Sequence, residues 1–406
     1  MRSKPVGPAL AVLFLVNVLN FYDRQALNAV LEPLRREFSL SDTQLGGLVT
    51  LFTVVFAVAG LPLGKLADTH SRRRLLAGGI AVWTGLTALA SQASSYAMLL
   101  GTRLGVGIGE AVCTPAATSW IGDLVPPQRR ARAMAIFMMA VPVGGMLSFA
   151  IGGPVAQAFG WRAALLLAAI PGLALAPAVL WLREPDRTVT AIEEHQRLIL
   201  PPNFWWIAAS GAVVNFALYS FSTFLPAFLT RYHGMTVAQA GVWSGIGTGV
   251  SGILGASIAA TAGDRVSNRL WLAAAASLVA AGPIFGAIRM PAGSAAAAVW
   301  LAMTGYGLLQ MYYGLVYAAI QDIVPPGNRG RAMAAYFVVT YLGGASWGPL
   351  ATGRLSDFLA HRSGLGGEAA RAIGLHHAMY VVPALAVVLA AVLWVAGRPS
   401  TLAHAD

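Results

Sequence analysis

Charge is scarce in this chain. Asp, Glu, Lys and Arg make up 11% of its 406 residues, against 57% hydrophobic ones. A soluble globular domain carries about a quarter charged residues, so the composition excludes an aqueous surface all round and fits a bilayer. Cysteine is nearly missing: the single Cys113 rules out an intrachain disulfide and reads as a small packing residue. Apolar/polar alternation over strand-length stretches is absent, which removes a membrane β-barrel. No paired His, Cys or carboxylate cluster offers metal or nucleophile geometry, and no phosphate-binding loop supports a pump. We therefore expect no enzyme and no metal.

What is present is a succession of apolar runs long enough to cross about 30 Å of hydrocarbon at about 1.5 Å per residue. They cover approximately 8–32, 43–66, 75–93, 96–121, 132–157, 161–183, 203–230, 237–262, 270–289, 295–321, 331–356 and 374–396. The expected fold is an all-α membrane protein with twelve transmembrane helices in two pseudo-symmetric six-helix bundles, 1–183 and 203–406, joined by a cytoplasmic linker at 184–202. The linker's Glu193, Glu194 and His195 read as a solvated amphipathic stretch. The first run is long and interrupted by charge, so it is expected to stay as a helix and not be cleaved as a signal.

The net charge of +11 is better explained by orientation than by nucleic acid. A cytoplasmic N-terminus collects Lys65, Arg72–Arg74, Arg129, Arg130, Arg132, Arg183, Arg187, Arg265, Arg269, Arg329 and Arg331 on the inner side, with both termini inside. The expected location is the inner (plasma) membrane of a bacterium, with a small-molecule amphiphile and the lipid bilayer as partners and a monomer as the working unit.

Two segments align without a gap: "DLVPPQRRARAMAIF" from Asp123 and "DIVPPGNRGRAMAAY" from Asp322, offset by 199 residues. Each leads into a glycine pair, Gly144-Gly145 and Gly343-Gly344. A weaker echo links "DTQLGGL" from Asp42 with "VAQAGVW" from Val237. A six-helix unit repeated in one orientation implies two bundles related by an axis along the membrane normal, an arrangement suited to rocking.

The loop "GKLADTHSRRR" holds Gly64, Asp68 and Arg72–Arg74, with a degraded second copy in Asp264, Arg265 and Arg269. It resembles the loop motif of the major facilitator superfamily, with Thr69 and Ser71 departing from the usual basic residue and glycine. Together with "NFYDRQALNAVLEPLRREFSLSDTQLGGL" and "RLGVGIGEA", the whole chain resembles a spinster-type member. An Asp-Arg pair in helix one also occurs in the superfamily's organic-anion symporters. The resemblance implies a carrier of lysophospholipids or sphingosine-phosphate-like lipids. Gly64, Asp68, Arg72, Asp123, Arg130, Asp264, Arg265, Asp322 and Arg329 are expected to form a two-state clamp, because an Asp at a helix end and arginines on the adjoining turn can lock neighbouring helices by charge-assisted hydrogen bonds.

Four ionisable residues lie inside apolar spans: Asp23 and Arg24 in the first, Arg103 and Glu110 in the fourth. Each costs about 2.5–3.5 kcal/mol at a helix centre, so each needs a partner or a water-filled path. Sequence neighbours on a helix point about 100° apart, so Asp23 and Arg24 cannot satisfy each other. Asn17, Asn20, Arg24 and Asn28 form one polar stripe; Arg103, Gly107, Glu110 and Thr114 form another. Counting from the span ends puts Asp23 within about 3 Å of the level of Arg103 and Glu110 about 10 Å deeper. The expectation is that Arg103 pairs with Asp23 in at least one state while Glu110 takes and releases a proton, freeing an arginine for an anionic substrate. Protons are then the coupling ion and no other cofactor is needed.

The second half has no such charges. Asn215, Tyr219 and Ser222 share one helix face and Tyr306, Gln310, Tyr313 and Tyr317 another, an amide and aromatic wall suited to a greasy body. Arg24, Arg103, Asn20, Asn215, Tyr219, Tyr306, Gln310 and Tyr313 are the expected substrate contacts; Asp23, Glu110 and Arg103 the proton-coupling set. The function expected is a proton-coupled, alternating-access carrier of an amphipathic anionic or zwitterionic lipid. The alternatives are a proton-coupled sugar-acid symporter and a drug/proton antiporter.

Overall fold

A computed structural model describes residues 6–185, 200–325 and 328–398, the side chains of Val6, Asp68, Pro127 and Ala131 excepted. The linker expected at 184–202 therefore falls largely outside the described residues, with Glu193, Glu194 and His195. Every described element is helical: α1 (Val6–Ala29), α2 (Leu31–Phe38), α3 (Asp42–Thr69), α4 (Arg72–Ala90), α5 (Tyr96–Ala111), α6 (Cys113–Leu124), α7 (Pro127–Met138), α8 (Ala140–Trp181), α9 (Pro202–Arg231), α10 (Val237–Gly263), α11 (Arg269–Arg289), α12 (Ala295–Ile323), α13 (Arg329–Thr340), α14 (Gly348–Arg362), α15 (Gly367–Ala378) and α16 (Val381–Ala396). Each of the twelve expected spans lies on helix. Six helical stretches among the described residues, Pro202–Arg231 and Arg269–Arg289 for example, are long and apolar enough to cross a membrane.

Local chemistry sets the ends. Ser71 and Ser95 cap α4 and α5 by accepting from the amides of Arg74 and Met98, and Asn268 caps α11 through Leu270 and Trp271. Proline stands in the first turn of α7 and of α9, where its missing N–H costs nothing. The expected fifth and sixth spans merge into α8 across Gly160, whose φ of 86° turns the chain without a Cβ clash. The expected fourth span is broken at Val112 into α5 and α6, and the eleventh is interrupted by a five-residue π turn over Tyr341–Ala345.

The chain divides into two compact units. One comprises Met1–Leu40, Leu51–Glu193 and Thr236–Gly245; the other comprises Ser41–Thr50, Glu194–Met235 and Ile246–Asp406. The first turns of α3 and α10 thus each belong to a different unit from the remainder of their helix. The core of the first unit gathers Leu13, Trp83, Val106, Trp120, Phe137 and Val179.

The internal repeat has a packing meaning in each unit. In the first, a Cβ on Gly144 would lie 2.9 Å from Phe21 Cβ and from the Tyr22 amide, so glycine lets α8 seat directly on α1. In the second, a Cβ on Gly344 would lie 2.7 Å from backbone of Ala212, so the partner pair does the same against α9. The weaker echo is explained likewise. In the first unit a Cβ on Gly241 would sit 2.9 Å from Gly153 Cα, and Gln157 Oε1 accepts the Ala238 amide at 2.9 Å. In the second, Gly46 meets Pro349 and Gly353 meets Asp42, while the Asp357 carboxylate accepts the amides of Asp42 and Thr43 at 3.0 and 2.8 Å.

Candidate functional site

Close seating of α8 on α1 fixes the helix that carries Asn17, Asn20, Asp23 and Arg24. Three of these are almost completely buried: Asn17 at 1% exposure, Asn20 at 0% and Asp23 at 1%. Helix α5 delivers Arg103 at 2% and Glu110 at 0%. Small residues make this possible, since a Cβ on Gly107 would meet Phe52 O of α3 at 3.1 Å and one on Gly109 would meet the Trp83 amide of α4 at 3.0 Å.

The four charged side chains converge, with partners different from those expected. Arg24 Nε donates to Glu110 Oε2 at 3.4 Å and Arg24 Nη2 to Asn20 Oδ1 at 3.4 Å. The same guanidinium lies 4.1 Å from the centroid of Phe56 and 4.7 Å from that of Phe21, so aromatic faces supply much of its solvation. Asp23 Oδ2 accepts from Thr87 Oγ1 at 2.8 Å, and the Asp23 and Glu110 carboxyls are hydrogen-bonding neighbours.

Asp23 and Arg103 make no ion pair or direct hydrogen bond in this state; Arg103 acts on Asp23 through space. One expectation is corrected here: Glu110 is not a layer deeper than Asp23, because their carboxyls meet. Counting turns from the ends of apolar runs ignored side-chain reach and the end of α5 at Ala111, immediately after Glu110.

The polar inventory of this cluster is incomplete within the protein. Asp23 Oδ1 and Glu110 Oε1 have no donor, and Asn20 Nδ2, Arg103 Nε and Arg103 Nη2 have no acceptor, among the described residues. Nε and Nη2 are the two donors of one guanidinium edge, the edge that matches a planar or tetrahedral dioxygen anion. The rest of the α1 stripe finds partners outside the cluster: Asn17 Nδ2 donates to Phe137 O of α7 at 2.9 Å and Asn28 Nδ2 to Gln25 Oε1 one turn back at 2.6 Å.

In the second unit, α9 and α12 bring the expected wall together. Tyr313 OH donates to Asn215 Oδ1 at 3.0 Å, Gln310 Nε2 donates to Tyr306 OH at 2.9 Å, and Tyr306 stacks on Phe221 with centroids 5.7 Å apart. Tyr219 lies edge-on to Tyr341, and Tyr317 packs against Tyr313, Tyr336 and Phe337. Sequence reasoning missed the hydroxyl chain running from Ser210 to Tyr312 at 2.8 Å and on to Tyr336 at 3.1 Å. A signal was available, for Tyr336 stands two residues after the repeated Ala-Met-Ala run.

Of the expected clamp, Arg72 is the centre. At 1% exposure it donates to Asp123, to the Ser119 carbonyl and hydroxyl at 3.1 Å, to Glu184 Oε1 at 3.1 Å and to the Pro185 carbonyl at 3.2 Å. Glu184 also accepts from Ser71 Oγ at 2.6 Å and from the Arg72 and Arg73 amides at 2.9 and 3.3 Å. Partial burial opposes its charge, yet these donors hold its carboxyl down at about 2. Ser71, a departure from the resembled motif, thus both caps α4 and anchors Glu184. Gly64 lies beside Pro115, and the Asp68 side chain is outside the described residues.

The second copy is looser. Arg269 donates to Asp322 and to the Gly263 carbonyl, with Asp264 at 4.0 Å. Arg265 is exposed and among the described residues makes no such contact, so Arg269 takes the place expected for it. Arg130 and Arg329 do the same job in both halves, donating to the carbonyls of Val125 at 3.0 Å and Val324 at 3.2 Å.

Residues 13–349 match the family described as Major Facilitator Superfamily. A protein of Mycolicibacterium smegmatis named MFS-type efflux pump is 33% identical over 410 residues, covering 96% of this chain and 92% of that one. Human protein spinster homolog 1 is 30% identical over 392 residues, covering 86% and 73%. The crystal structure of a bacterial homolog to the human lysosomal transporter Spinster, inward-facing and unoccupied, matches with a TM-score of 0.88 at 26% identity, covering 97% of this chain and 98% of that one.

Proposed function

We propose a proton-linked lipid carrier, and the premise is kinship: the chain belongs to the major facilitator superfamily and is a membrane transporter of the spinster type, not an enzyme. The substrate we assign is an amphipathic anionic or zwitterionic lipid, a lysophospholipid or a sphingosine-phosphate-like molecule, moved by alternating access.

The observation that carries this reading is the unpartnered Nε/Nη2 edge of buried Arg103 beside the Asp23–Glu110 pair. Two arginines and two carboxylates sum to zero when both acids are ionised. Two buried carboxyls in hydrogen-bonding contact favour holding one proton between them. That proton leaves the cluster with one net positive charge, and an anionic head group on Arg103 cancels it. Loading a proton and loading an anion thereby favour each other, and the coupling is reciprocal. The second unit contributes no charge at the corresponding positions, Ala302 and Leu309. Its tyrosines offer broad apolar faces with hydroxyl rims, which suit an acyl or sphingoid body better than a second ionic group.

A second reading, a drug/proton antiporter, is favoured by the efflux-pump relative. One experiment separates them: thermal-shift measurement of the purified protein with lysolipids, sphingoid phosphates, sugar acids and cationic drugs, repeated with Arg103→Ala. Stabilisation by an anionic amphiphile that the variant loses supports the lipid carrier. Stabilisation by cationic drugs alone, unaffected by the variant, supports the antiporter. A sugar acid alone giving Arg103-dependent stabilisation overturns the lipid substrate.

A further inference from the structure

We infer that Thr87, on α4, is a positioning residue for the proton site: its hydroxyl holds charge on Asp23 and so directs the exchangeable proton to Glu110. The inference rests on the reading of Asp23 and Glu110 as the proton-linked pair.

The hydroxyl's choice of partner is the first observation. A helical Ser or Thr usually satisfies its hydroxyl on the carbonyl three or four residues back. Thr102 does so on Leu99 O, Thr118 on Thr114 O, Ser277 on Ala273 O and Thr304 on Trp300 O. Thr87, fully buried, instead reaches across to Asp23 Oδ2 on α1 at 2.8 Å. It is aimed at the acid at the expense of the local bond.

The second observation is the asymmetry of the two acids. Asp23 Oδ2 receives a short hydrogen bond from a neutral donor that cannot itself be a proton source at these pH values. Besides its contact with Asp23, Glu110 accepts from Arg24 at the longer 3.4 Å, and that guanidinium is shared with Asn20 and two aromatic faces. A donor on the charged form of one acid of a proton-sharing pair pushes the proton toward the other. Among the described residues, the titratable or charged groups acting on Asp23 are Arg24 on its own helix, with Tyr22 beside it, and Arg103 and Glu110 on α5. From α4 comes the Thr87 hydroxyl, and the one charged residue of α8, Arg162, is bound to Glu37 at 2.7 Å.

The test is infrared titration of the protonated-carboxyl band in purified protein, which needs no substrate. In the wild type a band abolished by Glu110→Gln is expected. Thr87→Val keeps the shape and removes the donor, so the proton affinity of Asp23 rises by about tenfold, the worth of a hydrogen bond to a charged group. Part of the band then passes to Asp23, survives Glu110→Gln and is lost with Asp23→Asn, and the midpoint moves to higher pH by the share Asp23 gains. Thr87→Ser is expected to restore the wild-type midpoint, and Thr87→Val added to Asp23→Asn to give no further shift. A titrating band unmoved by Thr87→Val, or a shift that Thr87→Ser does not reverse, overturns the role of Thr87 and leaves the proton-linked pair standing. If no band in the wild type responds to Glu110→Gln or Asp23→Asn, the underlying reading falls, and the role of Thr87 with it.

Discussion

Replacing Glu110 with Gln should uncouple transport from protons without unfolding the protein. Glu110 accepts from Arg24 at 3.4 Å inside a site with no solvent exposure on the acid. Removing the acceptor altogether would leave a buried cation, a loss of about 3–5 kcal/mol. Gln keeps a carbonyl oxygen in the same place, so the cost falls to the difference between a charge-assisted and a neutral hydrogen bond, about 1–2 kcal/mol. Arg24 also retains Asn20 and the faces of Phe21 and Phe56. The functional loss is separate and larger. For one proton per substrate, a gradient of one pH unit supplies about 1.4 kcal/mol, a tenfold accumulation at equilibrium. In proteoliposomes, Glu110→Gln should still exchange labelled for unlabelled substrate across the membrane while that tenfold accumulation drops to equality. Accumulation driven by the pH gradient at the wild-type level in Glu110→Gln would refute the reasoning, whatever its effect on stability.

Other outcomes follow from the frame around the site. Arg231 Nη1 donates to both oxygens of Asp42, at 2.8 and 2.9 Å, both side chains being almost wholly buried, with Ser356 Oγ donating to the same carboxylate at 2.6 Å. Asp42→Ala should destabilise the purified protein by about 3–5 kcal/mol, and adding Arg231→Met should recover part of the loss in a thermal melt by removing the stranded cation. Glu184 contributes stability that is present above the ordinary carboxylate range and lost as pH falls toward about 2. Melts between pH 4.5 and 2 should therefore be flatter for Glu184→Gln than for the wild type. Gly241→Val should lower stability by about 1–3 kcal/mol, because the added Cβ would lie 2.8 Å from the Phe149 carbonyl. Gly78→Ala, in open space within α4, should raise it by up to about 1 kcal/mol.

The helices were legible because a bilayer imposes one solution on long apolar runs. Their subdivisions were not. Hydropathy is blind to the break at Val112, where φ and ψ remain near-helical, and to Gly160, whose conformation lies in backbone, not composition. The repeat was legible as matching letters, but its reason was spatial. Gly46 and Gly241 correspond because each lets the first turns of a helix lie against another backbone, and Asp357 and Gln157 correspond because each accepts amides at such a helix start. The partners lie far away in sequence, so no local pattern could have announced them.

The site was legible to the extent that charge in oil demands explanation. Asp23, Arg24, Arg103 and Glu110 stood out for that reason, and the structure gathers all four. Which of them touch depends on side-chain reach across helices, and the sequence argument did not foresee the contacts of this state, Arg24 with Glu110 and Asp23 with Glu110. Thr87 escaped notice because a hydroxyl in a helix is ordinarily spent on its own backbone and carries no hydropathic signal. The clamp reverses the difficulty. Arg72 could be placed by motif, yet the weight of the arrangement lies on Glu184, whose many donors include a serine where the motif has glycine. The two halves share the scaffold contacts of Arg130 and Arg329 and differ in every buried charge of the site. Duplication preserved what holds helices together and left buried charge in one copy alone, and that asymmetry is the reason the proposed ion-linked step is assigned to the first unit.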